Sequence, residues 1–404
     1  TRRCAPTSPR SSQGEVSFWS LMRLLALCAF VFATPSLAHE GETDGGVTFV
    51  RGARPVHAAS ETVVPRDVIA AAPKSGATDL LRLVPGLVAS QHSGEGKAQQ
   101  LFLRGFDAVH GQDVELNVAG LPVNEVSHVH ALGYADLNWL IPDTVREVKV
   151  TEGSARAWQG DFAVAGTVRY ELGLDEPGVT LAAGVGRFNR VRLFAGFRPE
   201  DSPETFGAVE LVRGDGFGAA RAFTRLSALT QLVLRVERVK LRLVAGTYAA
   251  RFDSPGVVRE DDFVAGRAAF FEARGAGQGG ATSRHQLLLA AAVPHETGRS
   301  SLELFVPRVD LRLRNNYTGF LRGPAGDGLE QAQATDTQGF KLSHARHLHL
   351  GGELLQLDLG VGGRHDGVHQ AQRGYDELDG RVREPGLGAA TKFREALDVT
   401  FSQW

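Results

Sequence analysis

From about Asp175 onward, apolar and polar side chains alternate with period two in one segment after another. In 239–243 (Val-Lys-Leu-Arg-Leu) the apolar residues are odd-numbered and the basic ones even-numbered. Val309, Leu311 and Leu313 interleave with Arg308, Asp310, Arg312 and Arg314; Leu355, Leu357, Leu359 and Val361 interleave with Gln356, Asp358 and Gly360. Leu397, Val399 and Phe401 do the same with Asp398, Thr400 and Ser402, and similar patterns run through 191–197 and 232–236. Period-two alternation describes strands with one face in an apolar medium and the other in water. A secreted β-sandwich and a membrane β-barrel both satisfy it, so the connections decide. One is short, at Glu237-Arg238, whereas 251–265 and 321–335 are long and polar. The face opposite the apolar one repeatedly carries Arg, Lys, Asp and Gln, read as a wet interior. Long loops on one side and short turns on the other favour an antiparallel transmembrane β-barrel. Two details resist. Consecutive strand assignment puts 321–335 on the short-turn side. The apolar phase also changes from even (Leu302, Leu304, Val306) to odd at Pro307, which predicts a bulge there or a miscounted strand.

Composition removes other classes. The 404 residues are 43% hydrophobic and 22% charged, which is neither disordered nor collagen-like. Mean hydropathy is -0.13, too polar for a bundle of membrane helices. A net charge of -2 argues against nucleic acid as a partner. Cys4 and Cys28 are the only cysteines, so the rest of the chain has neither a disulfide framework nor a Cys-ligated zinc site.

The first Met is Met22, followed by Arg23, an apolar run through Ala33, then Thr34-Pro35 and Ser36-Leu37-Ala38. This reads as a secretory signal peptide over 22–38, with residues 1–21 as translated upstream sequence. Cleavage after Ala38 removes four Arg and one Glu and leaves 366 residues with a net charge of -5.

Residues 39–60 are an extended leader that includes Val47-Thr48-Phe49-Val50-Arg51, and 61–174 have mixed α+β grammar. The stretch from Ser75 to Gly86 predicts a short helix capped by Ser75 or Thr78, with Leu80, Leu81, Leu83 and Val84 inward and Pro85-Gly86 as its stop. Leu101-Phe102-Leu103-Arg104 predicts a strand. The segment 114–118, Ala119-Gly120 and Leu121-Pro122-Val123 predict a hairpin. Residues 145–150 alternate again.

This N-terminal domain resembles the plug of TonB-dependent outer-membrane receptors. The residues that carry the resemblance are Thr78 to Leu87 (first plug helix and its Pro-Gly stop), Leu101 to Phe106 with the Arg104-Gly105 pair, and Val118 to Asn124 around Gly120. They continue through Val145 to Gly160 with Gly153, and Phe162 to Val168 with Gly166, as the last plug strand. Ala119 stands where the family usually has Asp, and Glu152 where it commonly has Lys. Segments 106–111, 127–136, 315–320 and 326–331 resemble a less common branch of the family. The resemblance implies an α+β plug followed by an incomplete barrel, about ten strands of a 22-stranded whole. It also implies a Gram-negative outer-membrane receptor in which TonB, driven by its inner-membrane energy complex, pairs with an extended N-terminal segment. Val47, Thr48, Phe49, Val50 and Arg51 are the candidate TonB box; an ordinary linker strand is the plain alternative. The transported ligand is unidentified. A non-transporting outer-membrane or secreted β-protein that binds a surface ligand is the rival function.

Histidines mark the candidate ligand site: His110, His128 and His130, with His92 and Asp107 nearby in sequence. In an extended segment His128-x-His130 would present both imidazoles on one face, a metal-binding disposition. The plainer reading is lumen residues that hydrogen-bond one another. H-E-x-x-H, G-x-S-x-G and Walker motifs are absent from the sequence, so no enzymatic activity and no cofactor are expected. Arg104 and Glu115 are expected in charged pairs between plug and wall.

Overall fold

The computed structural model describes residues 60–91, 96–273, 275, 277–318, 326–351, 353–376, 380 and 390–403. The signal peptide, Val47–Arg51 and His92 lie outside the described residues. Among those described, no helix is long and apolar enough to cross a membrane.

The N-terminal part is built on two small sheets. Strands β1 (Glu61–Val64), β5 (Val114–Val118), β6 (Leu121–Pro122), β7 (Val145–Glu152) and β8 (Gly166–Leu172) form one sheet in the order β1-β7-β8-β5-β6. Only the β5–β8 pair is parallel. Strands β2 (Leu87–Ser90), β3 (Gln100–Leu103) and β4 (Phe106–Asp107) form the other. Helix α1 (Arg66–Ala71) and a 3-10 helix, Ala77–Leu83, pack against them. Leu80, Leu81, Leu101, Leu116, Val148 and Val168 are buried at its centre.

Local chemistry sets several of these elements. The 3-10 helix is capped at Gly76, not at Ser75 or Thr78. The Asp79 carboxylate accepts the backbone N–H groups of Ser75 (2.7 Å) and Gly76 (3.3 Å), which places an acid at the positive end of the helix. Both plug hairpins turn on two residues with positive φ: Arg104 and Gly105 (48°, 89°), and Ala119 and Gly120 (49°, 95°). That is the mirror-image turn whose twist matches the strands. The last plug strand begins at Gly166, four residues beyond Phe162. A bulge lies between Val145 and Glu147 on β7.

Ten antiparallel strands follow in sequence order. They are β9 (Gly178–Gly186), β10 (Arg190–Arg198), β11 (Phe206–Gly214), β12 (Phe223–Val236), β13 (Val239–Asp253), β14 (Gly279–His295), β15 (Gly298–Asn315), β16 (Gly328–Leu350), β17 (Glu353–Tyr375) and β18 (Ala390–Gln403). Helix α2 (Glu260–Val264) sits in the β13–β14 connection. Strand ends Val236, His295 and Leu350 lie at one rim; strand ends Gly214, Asp253, Asn315 and Tyr375 lie at the other. Residues 328–335 belong to β16, so the misplaced loop of the sequence reading disappears.

Pro307 makes no bulge. It pairs with Gln286, and the β15–β16 register is the same on either side of it, Phe305 with Gly339 and Arg308 with Asp336. Even-numbered residues of β15 face outward throughout. Below Pro307 they are Leu302, Leu304 and Val306, all exposed. Above it they are Arg308 and Arg312, so these arginines do not line the interior; Arg308 pairs outside with Asp310 and Asp336 at 3.3 and 3.2 Å. The inward residues above Pro307, Leu311 and Leu313, are buried with Phe223 and Phe252. The apolar side chains change faces while the strand keeps its phase. The change divides the outer face of β15 into an apolar stretch, Leu302 to Val306, and a charged one, Arg308 to Arg312.

Candidate functional site

The plug rests against the inward face of this sheet, and barrel cations hold it by its main chain. Arg225 on β12 donates to the Ser75 carbonyl at 2.8 Å. Arg284 on β14 donates to the Pro122 carbonyl at 2.9 Å. Arg364 on β17 donates to the Asn124 carbonyl at 3.0 Å, and Lys341 on β16 to the Trp158 carbonyl at 3.3 Å. Arg192 on β10 adds an ion pair with Asp143. Arg104 and Glu115 do not reach the wall. Arg104 pairs with Glu152 inside the plug, and the Glu115 carboxylate accepts from the Thr167 hydroxyl at 2.8 Å and the Gly160 amide at 3.2 Å.

The densest wall contact falls on 122–129, the segment that leads from the β5–β6 hairpin to the histidines. Glu125 is buried, and its carboxylate accepts from Gln333 Nε2 at 2.7 Å and Thr335 Oγ1 at 3.0 Å. Gln333 also accepts the Val129 amide at 2.8 Å, and Gln370 donates to the Ser127 hydroxyl at 3.2 Å. Burial pushes the Glu125 carboxyl up to about 7, against smaller opposing effects of Arg284 and the Thr335 hydrogen bond. A cavity of ≈ 10 Å³, room for about one water, lies among Glu125, His128, Tyr134, Asp136 and Arg284.

Beyond Glu125 the chain bends and returns through the bridge Glu125–Tyr134. The extended geometry expected for His128-x-His130 is therefore not adopted, and the two rings diverge. His128 lies flat on Tyr134, with ring centroids 3.8 Å apart and planes 6° from parallel, and its Nδ1 accepts the His130 amide at 3.1 Å. His130 instead meets His110, Nε2 to Nε2 at 3.1 Å. Burial, then the neighbouring His130 and His110, holds the His128 imidazole well below the usual histidine range. Among the described residues there is no group of three or more His, Cys, Asp or Glu side chains arranged to hold a metal. Val129 packs against the apolar cluster of Leu311 and Leu313, which puts the histidines at the long-loop level. Asp107 is exposed and binds Gln100 and the Val109 amide at 3.0 Å each. Its carboxyl is held below the usual range, first by Gln100 and then by that amide; it serves the β3–β4 hairpin.

The expected glycines sit at backbone positions other residues resist. Gly105, Gly120, Gly153 and Gly166 all have positive φ. A Cβ on Gly166 would lie 2.5 Å from the Thr151 carbonyl oxygen, and one on Gly120 2.9 Å from Leu288 of the wall. Sequence reasoning missed Glu125, Arg284 and Arg364. It also missed Lys97, whose ammonium burial lowers to about 8. Toward the short-turn side a second cavity of ≈ 290 Å³ separates plug from wall beside Trp158, Arg169, Arg242, Glu303 and Lys341.

A mixed α+β domain gripped against the inward face of a ten-stranded antiparallel sheet is the arrangement of a plug and the barrel wall beside it. Residues 57–167 match the family model of the TonB-dependent receptor plug domain, so the N-terminal part of the chain is a plug domain of that family. Among solved structures it is similar to the ferric citrate transporter FecA in its unliganded form, with a TM-score of 0.67 at 13% identity over 84% of this chain and 53% of that one. The copper transporter OprC gives 0.58 at 14% over 84% and 50%. The siderophore receptor PiuA from Acinetobacter baumannii gives 0.61 at 15% over 85% and 52%. At such identities the similarity is one of fold, and the chain spans about half the length of these structures.

Proposed function

We propose that the chain serves TonB-driven uptake, across the outer membrane of a Gram-negative bacterium, of a ligand too large or too scarce for open pores. The observation that carries this reading is the way the plug is held: chiefly by hydrogen bonds from the wall to main-chain carbonyls, concentrated on 122–129, next to the histidines on the long-loop side. Each such hydrogen bond contributes about 0.5–3 kcal/mol, the charged donors at the upper end, and each can be exchanged singly for one to water. A plug seated this way is displaceable by a pull.

In this reading TonB adds as a strand to Val47–Arg51, where main-chain bonds supply the affinity. The ligand contacts His110, His128 and His130, and the 290 Å³ cavity offers wet space on the exit side. Metal chelates and metal ions are the first candidates, because the structural relatives include proteins described as ferric citrate and copper transporters. We read the ten strands as part of a larger closed barrel, since among the described residues β9 and β18 each pair along one edge only, and lipid does not tolerate unpaired edges.

Deleting residues 47–51 tests the proposal, with radioactive ferric citrate and copper(II) as probes. Uptake of the transported probe is expected to fall to background while cell-surface binding persists. Unchanged uptake would contradict TonB-driven transport through this segment, and binding of a probe with no uptake even by the undeleted chain would favour a receptor that binds without transporting.

A further inference from the structure

We propose that the outward face of the sheet, at its short-turn rim, binds the phosphate of a glycerophospholipid headgroup through His295, Ser300, His344 and Arg346. These residues belong to three adjacent strands. Ser300 on β15 pairs with His344 on β16, Gly298 pairs with Arg346, and His295 ends β14. All four point away from the plug, on the same face as Leu302 and Leu342.

The hydrogen bonding is specific. Ser300 Oγ lies 2.9 Å from His295 Nε2 and 2.8 Å from His344 Nδ1. A serine hydroxyl has one proton, so it donates to one ring and accepts from the other. The ring that receives that proton carries its own N–H on the far nitrogen and presents it as a donor. Arg346 lies two residues from His344 on the same face. It is exposed, and among the described residues it forms no salt bridge. A guanidinium, a fixed imidazole N–H and a hydroxyl on one small patch match the acceptor geometry of a phosphate. Glu296, in the β14–β15 turn, is the nearest acid in sequence.

The neighbours select a lipid as the source of that phosphate. His344 pairs laterally with Leu359, and Arg346 with Leu357. Leu302, Leu342 and Leu359 are 39%, 47% and 39% exposed. The polar patch is thus bordered by the apolar surface that faces acyl chains. Arg346 has a long enough stem to bring its charge to the headgroup layer, and basic pockets at a bilayer rim recognise anionic headgroups. A free phosphate ion would make no use of the leucines.

The test uses the full chain in outer-membrane-derived vesicles with phosphatidylglycerol bearing a photoreactive headgroup. Crosslinks are expected on 295–300 and 344–346. The H344Q/R346Q double variant should lower the yield roughly tenfold, the worth of one to two charge-assisted bonds, and excess inorganic phosphate should not compete. R346Q alone leaves both Ser300 hydrogen bonds in place and repeats the test if the double variant misfolds. Crosslinks spread around the rim, or a yield unchanged in R346Q, would overturn the proposal. So would competition by inorganic phosphate as strong as by the unlabelled lipid, which would identify a free-ion site.

Discussion

His110 and His130 meet nitrogen to nitrogen, Nε2 to Nε2 at 3.1 Å, so one ring donates and the other accepts the single proton between them. The contact joins the loop after β4 to the loop that the wall grips through Ser127 and Val129. A cation or metal chelate placed here would replace that shared proton and act directly on the gripped segment. We expect His130→Ala to weaken binding of the transported probe by about tenfold or more, the loss of one coordinating or hydrogen-bonding group. His295→Ala, at the opposite rim, should leave it unchanged. Equilibrium binding to purified protein checks both.

Glu125 and His128 give the plug opposite responses to pH. Glu125 is raised from 4.5 to about 7. Its stabilising contribution is therefore fully present below 4.5 and is lost as pH rises through about 7, on the order of 3 kcal/mol. His128 is depressed, so its contribution is present above 6.5 and is lost as pH falls toward its folded value. Glu125→Gln keeps an acceptor for Gln333 and Thr335 and should remove the first dependence. His128→Phe keeps a ring on Tyr134 and should remove the second. Thermal unfolding between pH 4 and pH 8 reads both, and identical pH profiles for wild type and Glu125→Gln would contradict the assignment.

Arg284 holds Pro122 from the wall and also donates to Gln286 at 2.7 Å. Arg284→Met keeps the bulk and removes the donors. We expect the plug to loosen by about 2–4 kcal/mol, seen as faster proteolysis at 122–129 with the strands still resistant.

Much of this fold was legible in the sequence. Alternation fixed the strands because a sheet whose two faces meet different surroundings leaves a period-two record. It could not say which face was which, and so the exchange of apolar residues around Pro307 looked like a slipped phase. The grip on the plug left no record on the plug side, because Arg225, Arg284 and Arg364 bind carbonyl oxygens that every residue possesses. The histidine loop was misjudged because an extended segment was assumed where the chain bends back through Glu125–Tyr134.

The face exchange on β15 is open to direct test. Leu304→Arg, in the apolar stretch, should cost about 2–4 kcal/mol, whereas Arg312→Leu, above Pro307, should cost less than about 1 kcal/mol. Folding titrations in lipid vesicles measure both. Equal costs would remove the boundary placed between Val306 and Arg308.

The central claim is that uptake requires 122–129 to part from the wall. Cys4 and Cys28 are the only cysteines and lie outside the described residues, so a pair introduced by Ser127→Cys and Gln370→Cys, in a chain also carrying Cys4→Ser and Cys28→Ser, is uniquely addressable. These positions are joined by a 3.2 Å hydrogen bond, and a short reducible bis-thiol linker spans them. With the linker in place, cells should bind the transported probe normally and take up none, and reductant should restore uptake. Uptake at the unlinked rate while the linker is intact would contradict the account.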